Sequence, residues 1–363
     1  MKNTFGNNLS VTLFGESHGP FIGAVLDGLT PGIPVDLDLI RFKLSLRRPA
    51  GAISTARVEA DEFSVVSGLY RGKTTGTPLT ILIPNTAQHS ADYDAESRIA
   101  RPGHADYSAF CKYHGFEDYH GGGHFSGRIT AALVAAAAVV LPALTAKEIR
   151  IGTHIKSCAG ISDRDFAVLD EDINFLNASC FACLDASAKD KMLAEMERIA
   201  ASGDSVGGVL ETAVTGLPAG LGEPWFDSVE SEISHAVFSI PAVKGIQFGD
   251  AFELCNSMGS VYNDAFRVKD GKVYTETNHN GGINGGITNG MPVIFRTAVK
   301  PTPSIYKTQN SVDFLKMENA ELSIKGRHDP AIIHRARVVV DSVTALTFAD
   351  MLLGRFGTDW LAF

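Results

Sequence analysis

Short segments in which apolar and polar residues alternate predict several strands. Residues 9–14 (Leu-Ser-Val-Thr-Leu-Phe) alternate in this way and carry two β-branched side chains at their centre, as expected for a strand with one buried face. Residues 21–26 and 79–83 have the same character. The pattern also predicts strands at residues 206–214, 292–299 and 336–340.

Other segments repeat their apolar residues at helical spacing. Residues 37–46 and 342–353 predict helices, and residues 187–201 predict an amphipathic helix that ends near Ser202-Gly203. Residues 131–144 form an apolar run interrupted by Pro142. Because a membrane span needs about 20 residues, this run predicts a buried core helix. Helices and strands are mixed without regular βαβ alternation, which favours an α+β fold over a doubly wound sheet.

Length and composition bound the possible classes of protein. The 363 residues allow one large domain or, at roughly 150 residues per domain, two. A hydrophobic share of 45% is enough for a substantial core, and a net charge of −9 without a basic face argues against nucleic-acid binding. The first ten residues hold one Lys and no apolar stretch, so they predict no signal peptide.

The five cysteines are odd in number and scattered, which favours reduced thiols and a cytoplasmic location. Cys180 and Cys183 form a Cys-x-x-Cys pair, but two further ligands at close spacing, which a zinc site would need, are missing from the sequence around them. No metal site is predicted.

Several Gly-rich or Arg-rich loops suit anions. Gly121-Gly122-Gly123 precedes the apolar helix, and backbone N–H groups at such a junction bind phosphate, although a flexible turn with a capped helix is the alternative. Arg47 and Arg48 can bind phosphate or carboxylate with paired hydrogen bonds, or can form a solvated surface. The stiff segment at 300–304 (Lys-Pro-Thr-Pro-Ser) offers one cation and two hydroxyls.

Two histidines stand in Gly-framed loops, where proton transfer near neutral pH is a candidate role. His18 lies in Gly15-Glu16-Ser17-His18-Gly19, and His104 lies in Arg101-Pro102-Gly103-His104-Ala105-Asp106-Tyr107. The loop at 277–282 is rich in Asn and Gly and could wrap a planar ligand. These loops indicate an enzyme that handles anions, and they leave the reaction open.

Taken in order, the same loops resemble the signatures of the chorismate synthases, and the resemblance covers nearly the whole chain. The matching segments include residues 3–6, 14–19, 27–28, 47–49, 67–68, 74–77, 101–107, 216–224, 239–245, 278–279, 300–302 and 326–330. The Gly-rich loop departs from the family pattern. His120 and His124 stand at Arg positions, Phe125 stands at a Ser position and Gly127 at an Ala position.

The resemblance implies a single catalytic domain over residues 1–363, with an α+β fold in which sheets pack around central helices, usually assembled as a homotetramer. It implies the anti-1,4-elimination of phosphate from 5-enolpyruvylshikimate 3-phosphate to give chorismate, the last common step of the shikimate pathway to aromatic amino acids. Reduced FMN is required without net redox change, and NADPH is used if the chain reduces its own flavin. The sequence predicts neither a nucleic-acid partner nor a membrane partner.

Residue roles follow from the resemblance. His18 would protonate the leaving phosphate, His104 would protonate or stabilise the flavin, and Asp329 would work with flavin N5 in proton transfer. The substrate or phosphate ligands would be Arg47, Arg48, Arg128 and Arg327. The flavin-contacting positions would be His124, Phe125, Ser126, Gly285, Lys300, Pro301, Thr302, Pro303, Ser304 and Arg327. Two alternatives remain: a protein that binds a flavin or nucleotide without turnover, and a phosphate-releasing lyase that needs no flavin.

Overall fold

The structure is a computed structural model, and it describes residues 2–48, 61–86, 99–324 and 329–362. Numbered along these ranges, the strands are β1 Thr4–Phe5, β2 Ser10–Gly15, β3 Phe21–Asp27, β4 Ser64–Ser67, β5 Leu69–Tyr70, β6 Lys73–Thr74, β7 Leu79–Pro84, β8 Arg150–Cys158, β9 Ile161–Ser162, β10 Gly208–Thr215, β11 Val243–Phe248, β12 Phe266–Lys269, β13 Lys272–Thr275, β14 Ile283–Asn284, β15 Ile287–Thr288, β16 Val293–Val299, β17 Gln309–Asp313 and β18 Glu318–Leu322. The helices are α1 Leu37–Arg47, α2 Asp106–Tyr113, α3 Thr130–Ala146, α4 Leu169–Ala178, α5 Ala186–Ala201, α6 Val229–Val237, α7 Ala251–Leu254, α8 Gly259–Tyr262 and α9 Ile333–Phe356.

Two five-stranded antiparallel sheets dominate the described ranges. The first has the order β1-β2-β3-β7-β4, and the second has the order β11-β16-β10-β8-β9. In the first sheet Val11 of β2 pairs with Leu26 of β3, and both side chains are buried. The alternate residues Ile22, Ala24 and Leu26 share this core face of β3. The remaining strands form short two-stranded hairpins.

Helices α3 and α9 lie between the two sheets. Helix α3 packs against β2, β3 and β7 of the first sheet, while α9 packs against β8 and β10 of the second. The two helices also pack against each other, and the run of alanines at 135–138 is fully buried there. Small side chains let helix backbones approach closely. The buried apolar residues form one connected cluster that includes both sheets and both helices, and the expected α+β fold with sheets around central helices is confirmed.

Most predicted elements are present within a residue or two of their predicted ends. The helix predicted at residues 342–353 is present but begins nine residues earlier, since α9 starts at Ile333. The strand predicted at residues 336–340 is wrong because these residues lie inside α9. Val338, Val339 and Val340 have high strand propensity, but α9 is enclosed by α1, α3, α6, β8 and β10. Because α9 is buried on all sides, it lacks the polar face by which an amphipathic helix is recognised in a sequence. The packing around α9 outweighs the preference of its β-branched residues for strands.

The apolar segment Gly127–Ala146 is long and apolar enough to cross a membrane by length and composition. In the structure, 72% of its most apolar window is buried against the rest of the protein. This is the behaviour of a core helix, as the sequence predicted, and Pro142 is accommodated within α3.

The C-terminal part of α9 holds the turn between β1 and β2. The Asp350 carboxylate accepts hydrogen bonds from the backbone N–H groups of Asn7, Asn8 and Leu9 at 2.9, 2.5 and 2.8 Å. A carboxylate that accepts three backbone N–H groups fixes the turn firmly. The helix that begins beside the cleft described next therefore also positions the N-terminal strands.

Candidate active site

A cleft of about 1480 Å³ opens where the predicted loops meet. The β2–β3 loop supplies His18, and the loop before α2 supplies His104. The Gly-rich loop, the segment at 300–304 and the start of α9 also line it, as do residues of β1, α2 and the segment 235–244. The other predicted residues that line it are Arg47, His124, Phe125, Ser126, Lys300, Pro303, Ser304 and Asp329.

His18 lies directly against the backbone of the Gly-rich loop. A Cβ atom added to Gly121 would come within 2.1 Å of the His18 ring, and Gly121 has a φ of +59°. The Ser17 N–H also donates to the Gly123 carbonyl at 3.0 Å. Only glycine leaves room for the ring in this left-handed conformation, so the loop and the histidine are matched in shape.

His104 is held by hydrogen bonds at both ring nitrogens. Nδ1 lies 3.2 Å from the Pro102 carbonyl, which can only accept, so Nδ1 carries the hydrogen. Nε2 therefore accepts from the Ser304 hydroxyl at 2.9 Å. Burial, followed by the nearby Arg101 charge, lowers the pKa of His104 to about 4. In this arrangement His104 is neutral at neutral pH and acts as a hydrogen-bonding group.

The segment at 300–304 is docked onto the His104 loop. Lys300 Nζ donates to the Gly103 carbonyl at 2.7 Å, and a Cβ on Gly103 would lie 2.8 Å from Pro303. Pro301 and Thr302 do not line the cleft. The Thr302 hydroxyl oxygen is buried and makes no hydrogen bond within the described ranges.

The unusual residues of the Gly-rich loop have different surroundings. His124 Nδ1 donates to the Gly15 carbonyl at 2.8 Å and so ties the loop to β2. The Phe125 ring remains 43% exposed and meets Tyr113 edge to face. The Ser126 hydroxyl accepts the Arg128 N–H at 3.2 Å, which caps the turn that leads into α3.

Three of the predicted arginines contact the carboxylate of Asp61, a residue that was not predicted from the sequence. Asp61 has a fully buried side chain, and it lies 3.2 Å from Arg47, 3.5 Å from Arg48 and in contact with Arg128. Burial alone would raise the Asp61 pKa, but the charges and hydrogen bonds of Arg47 and Arg128 outweigh it and lower the pKa. Asp61 therefore holds the guanidinium groups of Arg47, Arg48 and Arg128 close to one another.

Only part of the arginine cluster lines the cleft. Arg47 does, whereas Arg48 and Arg128 are not among the lining residues. Arg48 keeps 32% of its side chain exposed, and Arg128 keeps 6%. Arg327 lies outside the described residues.

At the start of α9, Asp329 forms an ion pair with Arg335. Arg335 Nε also donates to the Arg47 carbonyl at 2.6 Å and lines the cleft. Arg335 was not predicted as a site residue because it lies in an apolar helical segment without a loop motif around it. Arg101, which pairs with Asp106 through two hydrogen bonds of 2.9 and 2.7 Å, is a further cleft cation.

Two predicted ligand-binding segments lie away from the cleft. Gly285 is exposed at the turn of the β14–β15 hairpin, with a φ of +61°, and does not line the cleft. The loop at 277–282 wraps the protein's own Asp264, whose carboxylate accepts from Thr277, His279 and Asn280 at 2.7 to 2.9 Å. Its Asn and Gly residues therefore build an internal turn.

No group of three or more potential metal ligands occurs among the described residues. The cleft instead combines cations, histidines and hydroxyls around a Gly-rich backbone, which is the chemistry of a site for anionic organic molecules.

Comparison with known proteins identifies the relatives of this fold and cleft. The family model described as chorismate synthase matches residues 9–353. The chain belongs to the chorismate synthase family. The chorismate synthase of Pyrococcus abyssi is 44% identical over 350 residues, and that of Thermococcus kodakarensis is 43% identical over 350 residues; each match covers 96% of this chain and 97% of the relative. The chorismate synthase of Methanosarcina mazei is 43% identical over 352 residues, covering 97% of this chain and 96% of the relative.

The family likeness extends to three dimensions. A crystal structure of chorismate synthase superimposes with a TM-score of 0.77 at 26% identity, and the match covers 98% of this chain and 94% of that chain. Chorismate synthases are carbon–oxygen lyases of aromatic amino acid biosynthesis, so the sequence-based assignment to this family and class of enzyme is confirmed.

Proposed function

We propose that this protein removes phosphate from 5-enolpyruvylshikimate 3-phosphate to give chorismate, and that it requires reduced FMN without net redox change. The observation that carries the proposal is the position of His18, which lies against the Gly-rich backbone and lines the same cleft as Arg47, Lys300 and Arg335. A cleft that holds both an acid and several cations suits a leaving phosphate, because the cations can hold the anion and the acid can neutralise its developing charge.

The cleft fits FMN and substrate together. Single-ligand pockets are typically about 300–1,000 Å³, and this one is about 1480 Å³. The exposed Phe125 ring offers an apolar surface for a flat ring system, while Lys300 and Ser304 offer a cation and a hydroxyl. These residues, with His124, Ser126, Pro303 and Arg327, would hold the flavin, and Pro301, Thr302 and Gly285 stay in the proposed set by resemblance.

When bound, reduced FMN supplies transient electron density to the substrate as the carbon–oxygen bond breaks. The residues of the chain bind, orient and move protons. His18 would donate a proton to the leaving phosphate oxygen, and Asp329 would take part in removing the proton from C6 of the substrate beside the flavin. Arg47, Arg48 and Arg128, with Arg327, bind the anionic groups of substrate or flavin, and Asp61 holds the first three of them together.

His104 is assigned a supporting role at the flavin. Its ring is neutral in the ligand-free arrangement, so it stabilises the site through the Pro102 and Ser304 hydrogen bonds. Binding of anionic ligands beside it would favour its protonated form and raise its pKa. In the loaded site it can then act as a cation or acid toward the flavin.

Anaerobic turnover tests the proposal directly. Purified protein treated with EDTA is mixed with 5-enolpyruvylshikimate 3-phosphate and dithionite-reduced FMN, and chorismate is followed by absorbance. We expect turnover with reduced FMN, and none when flavin is omitted or left oxidised. Full turnover without flavin would favour a flavin-free lyase, and flavin binding without any product would favour a binding protein.

We further propose a single catalytic domain in a cytoplasmic homotetramer that has no nucleic-acid or membrane partner. The connected core supports the first point. Trp225, Phe226 and Phe252 are 85%, 90% and 75% exposed, and large exposed aromatic side chains support an oligomeric interface. Light scattering after gel filtration tests the tetramer, and replacing dithionite by NADPH tests whether the chain reduces its own flavin.

A further inference from the structure

Residues 203–207 connect α5 to β10, and this α5–β10 connection contacts the segment at 300–304 although none of its residues lines the cleft. The Ser205 hydroxyl donates a hydrogen bond to the Thr302 carbonyl at 2.6 Å. A Cβ atom added to Gly207 would come within 2.8 Å of the backbone at the start of the segment, so the two backbones touch there. The α5–β10 connection therefore supports the segment from outside the cleft.

The segment at 300–304 follows the end of the sheet ladder. Strand β16 ends at Val299, where it pairs with Gly208. Pro301 and Pro303 have no N–H group to donate, so a ladder cannot continue through them. Contacts from other loops therefore have to set the position of this segment.

Two parts of the chain hold the segment at different points. The His104 loop holds its two ends, because Lys300 Nζ donates to the Gly103 carbonyl at 2.7 Å and Ser304 Oγ lies 2.9 Å from His104 Nε2. Ser205 holds its middle through the carbonyl of Thr302. Without this middle contact, the stretch between the two ends can shift while the ends remain tied.

The α5–β10 connection also reaches the residues that precede α9. The Val206 N–H donates to the Pro330 carbonyl at 2.8 Å, and Pro330 directly follows Asp329, which is proposed to take part in proton removal. Ser205 and Val206 are neighbours in the chain, so adjacent residues position the flavin segment and Asp329. Such positioning matters for the rate, since a misplacement of about 1 Å can cost roughly 10²-fold.

We propose that Ser205 is a positioning residue for the flavin, and that the α5–β10 connection fixes the segment at 300–304 relative to Asp329. This inference rests on the proposed function. Ser205 acts through the backbone of Thr302 and does not reach the ligands itself. Its loss should therefore weaken flavin binding and slow the step that needs flavin and Asp329 together. Substrate binding should change little, because the proposed arginine ligands lie on other elements.

Other contacts of the α5–β10 connection remain when the Ser205 hydroxyl is removed. The Tyr306 N–H donates to the Gly203 carbonyl at 3.0 Å, and Lys307 Nζ donates to the Asp204 carboxylate at 2.7 Å. Ser205→Ala removes only the hydroxyl oxygen, so we expect this variant to fold. Thermal melting of the flavin-free protein checks that it does.

The anaerobic turnover assay then separates the two ligands. For Ser205→Ala we expect KM for reduced FMN to rise about three- to tenfold, as for the loss of one hydrogen bond, and kcat to fall. KM for 5-enolpyruvylshikimate 3-phosphate should stay close to that of wild type. Ser205→Thr keeps the hydroxyl and should restore most of the flavin affinity.

Ser202→Ala is the matched control, because the Ser202 hydroxyl makes the same kind of bond, to the Ile199 carbonyl at 2.7 Å, at the exposed end of α5. It should leave kcat and both KM values unchanged. A wild-type KM for FMN in Ser205→Ala would overturn the proposal. So would a parallel rise of both KM values that Ser205→Thr does not reverse, because that pattern means a general loosening of the fold. If the wild type makes no chorismate with reduced FMN, the proposed function fails and this inference fails with it.

Discussion

Nε2 of His104 and Oγ of Ser304 lie 2.9 Å apart although they are separated by 200 positions in the sequence. This contact, with the Lys300–Gly103 hydrogen bond, joins two loops that carry predicted flavin contacts. The His104 ring is thereby fixed in one tautomer, and its buried position keeps it neutral.

The first prediction concerns His104. The pKa of His104 is lowered to about 4, so this residue should not titrate between pH 5 and 8. The pH profile of kcat/KM over this range should therefore have the same shape in wild type and in His104→Asn. Asn keeps a donor near the Nδ1 position and loses the Ser304 contact, so kcat should fall about ten- to hundredfold, equivalent to one buried hydrogen bond of about 1–3 kcal/mol. The measurement is the pH dependence of kcat/KM in both proteins. The loss in His104→Asn of an ionisation seen near pH 7 in wild type would contradict the assignment of a neutral His104.

The second prediction concerns the fit of His18 to the Gly-rich loop. His18→Ala should lower kcat by about 10²–10⁴ while KM changes much less. Gly121→Ala should lower kcat comparably, because its Cβ would occupy the space of the His18 ring. Gly127→Ala is the matched control, since a Cβ at Gly127 meets nothing within 4 Å. If Gly121→Ala keeps wild-type kcat, the position of His18 is not critical.

The third prediction concerns Asp61. Asp61→Ala should destabilise the protein by about 3–5 kcal/mol, because it removes a buried carboxylate that pairs with the buried guanidinium groups of Arg47 and Arg128. Asp38→Ala removes an ion pair with Arg41 whose partners are 92% and 58% exposed, and it should cost less than about 1 kcal/mol. Urea unfolding of both variants measures the difference, and equal midpoints would show that Asp61 does not hold the cluster.

The fourth prediction concerns Arg48, the most exposed of the arginines around Asp61. Arg48→Lys should raise KM for substrate with a smaller effect on kcat, because Lys cannot reproduce the paired hydrogen bonds of a guanidinium. Arg41→Lys, on the exposed face of α1, serves as the control. A wild-type KM in Arg48→Lys would mean that Arg48 makes no bidentate contact with substrate.

The fifth prediction concerns stability in mild acid. Burial, then the charge of Arg335, lowers the pKa of His334 to about 4, against about 6.5 in the unfolded chain. Between these values the unfolded state binds more protons, so the free energy of unfolding should fall as pH drops from about 6.5 to 4.

His334→Phe should weaken this dependence, since Phe stays uncharged and can stack on Phe181 as His334 does. The exposed His114→Asn should leave the dependence unchanged. Thermal melts from pH 8 to 4.5 give the comparison, and identical slopes in wild type and His334→Phe would show that His334 does not carry the effect.

The sequence predicts those elements whose pattern is set by one buried face. The strand at Ser10–Gly15 and the helix at Ala186–Ala201 were predicted closely for this reason. The middle of α9 was not, because burial on every side erases the helical period and leaves only the β-branched preference of Val338 to Val340.

The residues of the candidate site likewise divide into those that a local sequence motif identifies and those that only the folded structure brings together. His18 and His104 were identified because they stand in Gly-framed loops with family signatures. Asp61 and Arg335 were missed because their importance lies in contacts such as Asp61–Arg128, which spans 67 positions, and Arg335–Arg47, which spans 288. Contacts of this kind depend on the packing of whole elements, and no local spacing encodes them.

Helix α9 has a consequence for how the protein is made. Its 24 residues span about 36 Å at 1.5 Å per residue, and Asp350 near its far end holds a turn up to 343 positions earlier in the chain. During synthesis from the N-terminus, β1 and β2 are complete long before Asp350 leaves the ribosome. Until then the N–H groups of Asn7, Asn8 and Leu9 lack this partner, and the first sheet lacks the helix layer that closes the core. The nascent chain therefore cannot reach its native packing until Asp350 has been synthesised, and a chain truncated before this residue should depend on chaperones or be degraded.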